Sequence, residues 1–290
     1  MIWGSKCQNA RLIRWTVSFF FAEDMRVALK LAYIGTDFAG FQYQPDERTV
    51  EGELFKAFES LGINVKASNY KCAGRTDAGV HAFSQVVALD VSDAKKVLPR
   101  VINANLPDDI VVWAWAKVPD DFNPRYATSR TYIYVLYSRE YDISAMRKAA
   151  KLLLGTHDFT NFTKKFGEGQ SCVRTIYNVE LRVNGDFLIF EIEGNAFTWN
   201  MVRCIIAALE AVGSRHRSVE WFEEMLNPEK HRERIEPAPA YGLILKDIKY
   251  SGVEFEVDDY AWRSLQLKLE KLVMYHGTIY KLFSLFRDSA

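Results

Sequence analysis

The strongest constraint on the fold is an order of elements through which the chain runs twice. From Met25, the segment Arg26 to Gly35 sets Val27, Leu29, Leu31 and Tyr33 on one face and Ala28, Lys30 and Ala32 on the other, the two-residue period of a half-buried strand. After the turn Gly35 to Gln42, Thr49 is placed as an N-cap with Glu51 and Glu53 in the first turn; Leu54, Phe55, Phe58 and Leu61 form the apolar stripe of a helix that stops at Gly62. A short strand at Asn64 to Ala67, a glycine-bounded loop, a strand from Phe83 to Val91, a helix around Ala94 to Ala104 and a strand at Ile110 to Lys117 complete a β-α-β-β-α-β pass, the split arrangement of ferredoxin-like sheets.

The second pass has a strand at Thr131 to Tyr137 and a helix from Ile143 to Leu154 with Gly155 as its stop. Strands near Cys172 to Val183 and Phe187 to Glu193 flank the hairpin signal Asn184-Gly185-Asp186; a helix from about Thr198 to Val212 and a strand at Leu243 to Tyr250 close it. The expected fold class is therefore α+β: two ferredoxin-like-related halves with mainly antiparallel sheets joined into one larger sheet, and the active-site cleft between them. The proline-bearing loop Pro119 to Ser129 divides residues 25–121, the half that carries the glycine-bounded loop, from residues 122–290, which complete the cleft. A helical tail begins at about 258, and its Trp262, Leu265, Leu269 and Leu272 predict packing against the body.

Residues 1–24 read as an extension outside the core fold. Lys6, Arg11 and Arg14 before Trp15 to Ala22 imitate a secretory leader, but Glu23-Asp24 replaces a small-residue cleavage site, and a second methionine, Met25, opens the strand pattern. The four cysteines, Cys7, Cys72, Cys172 and Cys204, are far apart and form no zinc spacing, which predicts no metal, no disulfide scaffold and a cytoplasmic setting. No apolar run approaches the ~20 residues of a membrane span. No P-loop or dinucleotide fingerprint is present, so no cofactor is expected. Lysine plus arginine balance aspartate plus glutamate at 37 each, so net charge advertises no polyanionic partner, although a basic groove offset by acid elsewhere remains compatible with it.

The glycine-bounded loop, Gly74-Arg75-Thr76-Asp77-Ala78-Gly79-Val80-His81-Ala82, carries the candidate chemistry. In an extended backbone the side chains of Arg75 and Asp77 share a face, which would let the arginine orient the carboxylate. On the residues alone, such a loop is more often a turn held by an ion pair than an active site.

This string resembles the catalytic motif of the TruA family of tRNA pseudouridine synthases, which makes Asp77 the essential residue and Arg75 its orienting partner. Three further stretches carry the same resemblance, in order. Phe122-Asn123-Pro124-Arg125-Tyr126-Ala127-Thr128-Ser129-Arg130-Thr131-Tyr132-Ile133-Tyr134 is similar to the family's second stretch, which implies that Tyr132 stacks on the target uracil and that Arg125 and Arg130 contact substrate. Gly194-Asn195-Ala196-Phe197-Thr198-Trp199-Asn200-Met201-Val202-Arg203 is similar to the third, whose arginine, here Arg203, approaches the catalytic aspartate or the RNA backbone. Tyr241-Gly242-Leu243-Ile244-Leu245 is similar to a strand whose apolar side chains, Leu243 first, pack under the nucleotide.

The resemblance implies isomerisation of uridine to pseudouridine in the anticodon arm of tRNA, at about nucleotides 38 to 40, by a homodimer. Asp77 would act as a nucleophile toward C1′ or C6, or as a base at C2′; the sequence does not choose. Lys164, Lys165, Arg174, Arg215, Arg217, Arg232 and Arg234 are the candidates for a basic groove. A non-catalytic RNA-binding or tRNA-folding protein of the same fold is the alternative; a hydrolase built on Asp77 and His81 lacks a nucleophile elbow. Trp199-Asn200 occupy variable positions of the third stretch, and the long region after Tyr250 suggests an archaeal or eukaryotic-like branch.

Overall fold

The computed structural model describes residues 25–164 and 171–289. The extension 1–24 and Lys165 lie outside the described residues. Strands β1 (Met25–Tyr33), β3 (His81–Val91) and β4 (Ile110–Lys117) form one half of a sheet; β5 (Ser129–Tyr137), β6 (Gly155–Asp158), β7 (Val173–Asn184) and β8 (Phe187–Gly194) form the other. With β9 (Leu243–Lys249) between the halves and β10 (Glu256–Val257) at one edge, the order is β10-β4-β1-β3-β9-β5-β8-β7-β6, and β2 (Lys71–Cys72) pairs beside β3. Among the described residues all pairings are antiparallel except β3 with β9, where His81 and Ala82 face Ile244 and Leu245. This is the expected α+β architecture, two mostly antiparallel halves joined into one sheet.

Helix α1 (Val50–Ser60) starts where predicted, with the Thr49 side chain accepting from the Gly52 amide. Together with α2 (Pro99–Asn103) it covers a core of Leu29, Leu31, Leu54, Phe58, Val86 and Ile102. Helices α3 (Ile143–Lys151), α4 (Met201–Gly213) and α5 (Val219–Met225) cover a second core, in which Met146, Phe190, Ile205, Leu209 and Phe222 are buried. Leu243 belongs to the second core and Leu245 to the first. Two residues apart on one strand, they lie on the same face, so both cores share a face of the sheet and meet along β9.

Several predicted elements differ in physically traceable ways. Asn64 to Ala67 is a turn rather than a strand: the Asn64 side chain accepts from the amides of Lys66 and Ala67, giving the backbone a local alternative to a ladder. The helix expected over Ala94 to Ala104 breaks into a 3₁₀ turn, Ala94–Val97, and α2, because Pro99 holds Leu98 extended. Strand β6 and helix α5 were not anticipated; Gly155-Thr156-His157-Asp158 has no apolar alternation to signal a strand.

The chain after Tyr250 does not stay with the half assigned to residues 122–290. Strand β10 pairs with β4, and helix α6 (Asp259–Asp288) lies on the opposite face of the first half, where Trp262 packs on Phe83 and Trp113. Leu265 is buried there, and near its far end the helix reaches the second half, where Tyr280 packs on Phe187 and Tyr137; between and around these contacts Leu267, Met274, Leu282 and Leu285 remain exposed.

Candidate active site

The loop between β2 and β3 is held from three sides. The Thr76 carbonyl accepts from the Phe41 amide at 3.1 Å, the Thr76 hydroxyl meets the Tyr33 hydroxyl at 2.7 Å, and the Gln85 side chain donates to the Gly74 carbonyl at 3.1 Å. Gly40, at φ +116°, lets this happen: a Cβ there would stand 3.2 Å from the Thr76 carbonyl oxygen. Of the loop's two glycines only Gly79 uses positive φ, at +78°.

So anchored, Asp77 projects into the seam between the two cores. Its Oδ2 accepts from Nη1 of Arg203 at 3.0 Å and its Oδ1 from Nε1 of Trp199 at 2.7 Å. Both partners of the ion pair are half-buried, with 24% of the aspartate and 15% of the arginine side chain exposed. Arg203 sits in the first turn of α4 and is itself fixed: Nε donates to the Ala238 carbonyl at 2.6 Å, and Nη1 also donates to Oδ1 of Asn200 at 2.9 Å. Asn200 takes a left-handed backbone, φ 63°, as the helix N-cap. The result is a carboxylate whose two oxygens both receive donors that are set from another element, an arrangement suited to holding one orientation.

The Arg75 to Asp77 pair expected from their spacing does not form. The segment is not an extended strand: Thr76 turns inward to Tyr33 and Ala78-Gly79 begins a turn, and Arg75 stays exposed without contacting the carboxylate. The arginine on Asp77 is Arg203. Arg75 instead shares a separate cleft with Arg125.

Tyr132 is half-buried where the two cores meet, packing against both, with its ring edge-on to Phe197 at 5.0 Å. Burial pushes its hydroxyl up to about 12, so near neutral pH it is a hydrogen-bond donor and an aromatic surface, not a base. Tyr134, two residues on, donates to the Pro239 carbonyl at 3.0 Å, and Gly242 is required beneath it, since a Cβ there would stand 2.7 Å from its ring. Leu243 is buried opposite Tyr134. Arg130, expected to contact substrate, is committed to protein: its guanidinium donates to the carbonyls of Asn195, Arg125 and Ala73. With donors turned to three backbone segments it ties the motif stretches together.

The basic candidates divide. Lys164, Arg232 and Arg234 line one cleft of about 540 Å³ together with Asn161, Thr163 and Glu233. Thr163 and Lys164 also hold the Trp199 carbonyl, which connects this cleft to Asp77. Arg217 pairs with Glu233 at 2.8 Å at its margin. Arg215 reaches Asp142 at 3.8 Å, and Arg174 donates to the carbonyls of Ser171 and Val173, so neither joins it. His81, the partner that a hydrolase would need, accepts on Nδ1 from the Gly35 amide at 3.1 Å, and burial lowers its pKa.

Sequence reasoning noted Trp199-Asn200 only as departures. The structure makes both part of the constellation. The available signal was an indole with a free N–H and an amide immediately before the helix turn that carries Arg203.

A family model described as tRNA pseudouridine synthase matches residues 30–127 and 149–251. A protein named tRNA pseudouridine synthase A from Archaeoglobus fulgidus is 61% identical over 265 residues, covering 91% of this chain and 98% of its own length. Proteins of the same name from Methanosarcina barkeri and Pyrococcus abyssi are 51% and 43% identical, over 87% and 85% of this chain and 95% and 93% of theirs.

Proposed function

This chain belongs to the tRNA pseudouridine synthase family, and from that premise we propose that Asp77 is the residue on which its chemistry turns. The protein is an isomerase that converts uridine to pseudouridine in tRNA. In this reaction the N1–C1′ bond of the nucleotide breaks, the uracil turns, C5 bonds to C1′, C5 gives up its proton and N1 gains one. No redox change is involved.

The observation that carries the assignment is the double anchoring of Asp77, with Arg203 on Oδ2 and Trp199 on Oδ1. The two anchors are unequal. Arg203 is half-buried and bound to Ala238 and Asn200, whereas the Trp199 side chain is half in solvent. Arg203 therefore keeps Oδ2, and Oδ1 becomes the oxygen presented to the nucleotide when the indole gives way. Attack at C1′ or C6 and proton removal at C2′ all use that one oxygen.

Tyr132 lies along the same seam and supplies the aromatic face for the uracil, keeping water from the reacting carbons. The uridine must first leave its stack, at a cost of a few kcal/mol, which stacking and phosphate contacts offset. The substrate region is the anticodon arm, at about nucleotides 38 to 40, with the cleft of Lys164, Arg232 and Arg234 receiving part of its backbone. The same reading makes the protein a cytoplasmic homodimer in which two subunits share one tRNA. The apolar side chains that α6 leaves in solvent, Met274, Leu282 and Leu285 among them, offer surface for a second copy.

The test is to map pseudouridine in tRNA incubated with wild-type and Asp77→Asn protein. Product in the anticodon arm from the wild type alone is expected. Product from the variant at the wild-type rate would overturn the role of Asp77, and tRNA binding without product from either protein would favour a non-catalytic RNA-binding module. A sedimentation mass of one chain at working concentration would overturn the dimer.

A further inference from the structure

Beside the catalytic loop, lined by first-half residues and the segment before β5, lies a second cleft, of about 320 Å³, which the reaction as derived does not use. Lys71, Arg75 and Arg125 line it, contributed by β2, the catalytic loop and the segment before β5. Among the described residues none of the three has a carboxylate within ion-pairing distance, although most other cations near the seam do. The one acid in the lining, Glu51, is 8% exposed and already accepts from the Tyr43 amide at 2.8 Å. Three cations facing one engaged carboxylate leave the cleft net positive, so its natural occupant is an anion.

Neutral hydrogen-bonding groups complete the lining. Gln42 and Asn123 contribute side-chain amides, and the Tyr70 hydroxyl, buried beside them near the Glu51 carboxylate, makes no hydrogen bond of ordinary length. A buried hydroxyl without a full hydrogen bond is costly, and an incoming polar ligand relieves it. The Tyr70 ring itself is fixed edge-on to Phe55 at 5.0 Å, so the hydroxyl is held in place rather than free to swing to water. A volume near 320 Å³ is at the lower end of ligand-sized clefts, about 300 to 1,000 Å³, which admits one nucleotide unit rather than a duplex.

The cleft is mechanically joined to the active site. Arg130 donates to the carbonyls of Arg125 and Ala73 on this side and to Asn195 in the stretch that carries Trp199 and Arg203 on the other. Arg75 is two residues from Asp77 on a loop held from three sides.

We propose that the cleft of Lys71, Arg75 and Arg125 is a subsite for a phosphodiester of the RNA strand flanking the target uridine, with Tyr70 hydrogen-bonding the attached nucleoside. It rests on the proposed tRNA substrate, and it gives the RNA a grip beside the catalytic loop in addition to the cleft of Lys164, Arg232 and Arg234. Strand held at both clefts would present the extruded nucleotide to Oδ1.

The experiment measures tRNA affinity by fluorescence anisotropy over a salt series for the wild type, for Lys71→Ala/Arg125→Ala and for Tyr70→Phe, with thermal melts of each. Each phosphate-contacting cation removed should lower the slope of log affinity against log salt by about 0.7, the value for single-stranded contacts. The double variant should therefore lose about 1.4 from its slope and raise KM with kcat at saturation kept. Tyr70→Phe should bind about fivefold more weakly, the effect of one lost hydrogen bond, without a lower melting temperature, because its hydroxyl makes no hydrogen bond of ordinary length in the free protein. Unchanged slopes and affinity, or a loss of affinity with an unchanged slope in the double variant, would overturn the subsite. Pseudouridine mapping on the same tRNA separates the two readings: an active wild type with unchanged slopes defeats the subsite alone, whereas an inactive wild type defeats the tRNA substrate on which it rests.

Discussion

The indole Nε1 of Trp199 donates to Oδ1 of Asp77 at 2.7 Å across the seam between the two halves, so the carboxylate is capped by a side chain that is itself 52% exposed. The contact joins the loop before β3 to the turn before α4, segments 122 residues apart in sequence. On the role proposed for Asp77, a solvent-facing indole over that carboxylate would have two uses: holding the oxygen in the free protein, and offering a stacking face to a nucleobase once displaced.

Those two uses separate by substitution. Trp199→Phe keeps an aromatic face and removes the hydrogen bond, so kcat should be maintained or rise while KM stays within about threefold. Trp199→Ala removes both and should raise KM by about 5- to 160-fold, the equivalent of about 1 to 3 kcal/mol of base stacking. Steady-state kinetics on one tRNA decides; equal KM values for the Phe and Ala variants would show that the indole does not stack on RNA.

Arg203→Lys should be costly although charge is conserved. The lysine ammonium cannot reproduce the guanidinium's fixed fork to Asp77, Asn200 and the Ala238 carbonyl. Misplacing a reacting group by about 1 Å costs on the order of 100-fold, so kcat should fall by that factor with KM little changed. The variant should also lose about 1 to 3 kcal/mol of stability from the acceptors left unpaired, measurable by chemical denaturation.

Arg130 should behave as a brace. Arg130→Met removes bonds to three backbone carbonyls on three segments, and a loss of about 2 to 3 kcal/mol in unfolding free energy is expected, with tRNA affinity at low temperature much less affected than in the Lys71→Ala/Arg125→Ala protein. A fully stable variant with strongly weakened tRNA binding would return Arg130 to the role of a substrate contact.

What was legible in the sequence follows from how local each cause is. Strands β1 and β4 and the Thr49 cap were readable because alternation and capping act within a few residues. The turn at Asn64 and the helix broken at Pro99 depend on side-chain bonds and steric effects equally local, but these competed with an apolar pattern that suggested the wrong answer. The partner of Asp77 was not legible from spacing. Arg75 is two residues away and turns outward, while Arg203 is 126 residues away and reaches it because α4 and the loop are packed on the same face of one sheet. The resemblance to known motifs supplied Arg203, and no local rule supplied Trp199. The return of α6 to the first half is a topological fact of the same kind: its apolar residues predicted packing but not on which half.

His81 gives a pH dependence whose sign is fixed by its surroundings. It is the first residue of β3, its Nδ1 accepts from the Gly35 amide, and burial lowers its pKa below the usual 6.5, only partly offset by a backbone bond with Tyr241. The unfolded chain takes up this proton as pH falls through about 6.5, whereas the folded protein resists until a lower pH. Within that window the unfolded state binds more protons, so acid favours unfolding. Stability from this group is complete above 6.5 and is lost as pH falls toward the folded value. His81→Asn retains an acceptor for the Gly35 amide and abolishes the titration. Denaturant midpoints measured from pH 7.5 down to 5 should therefore decline less steeply for the variant than for the wild type, and parallel declines would show that His81 is not the group the folded protein keeps neutral.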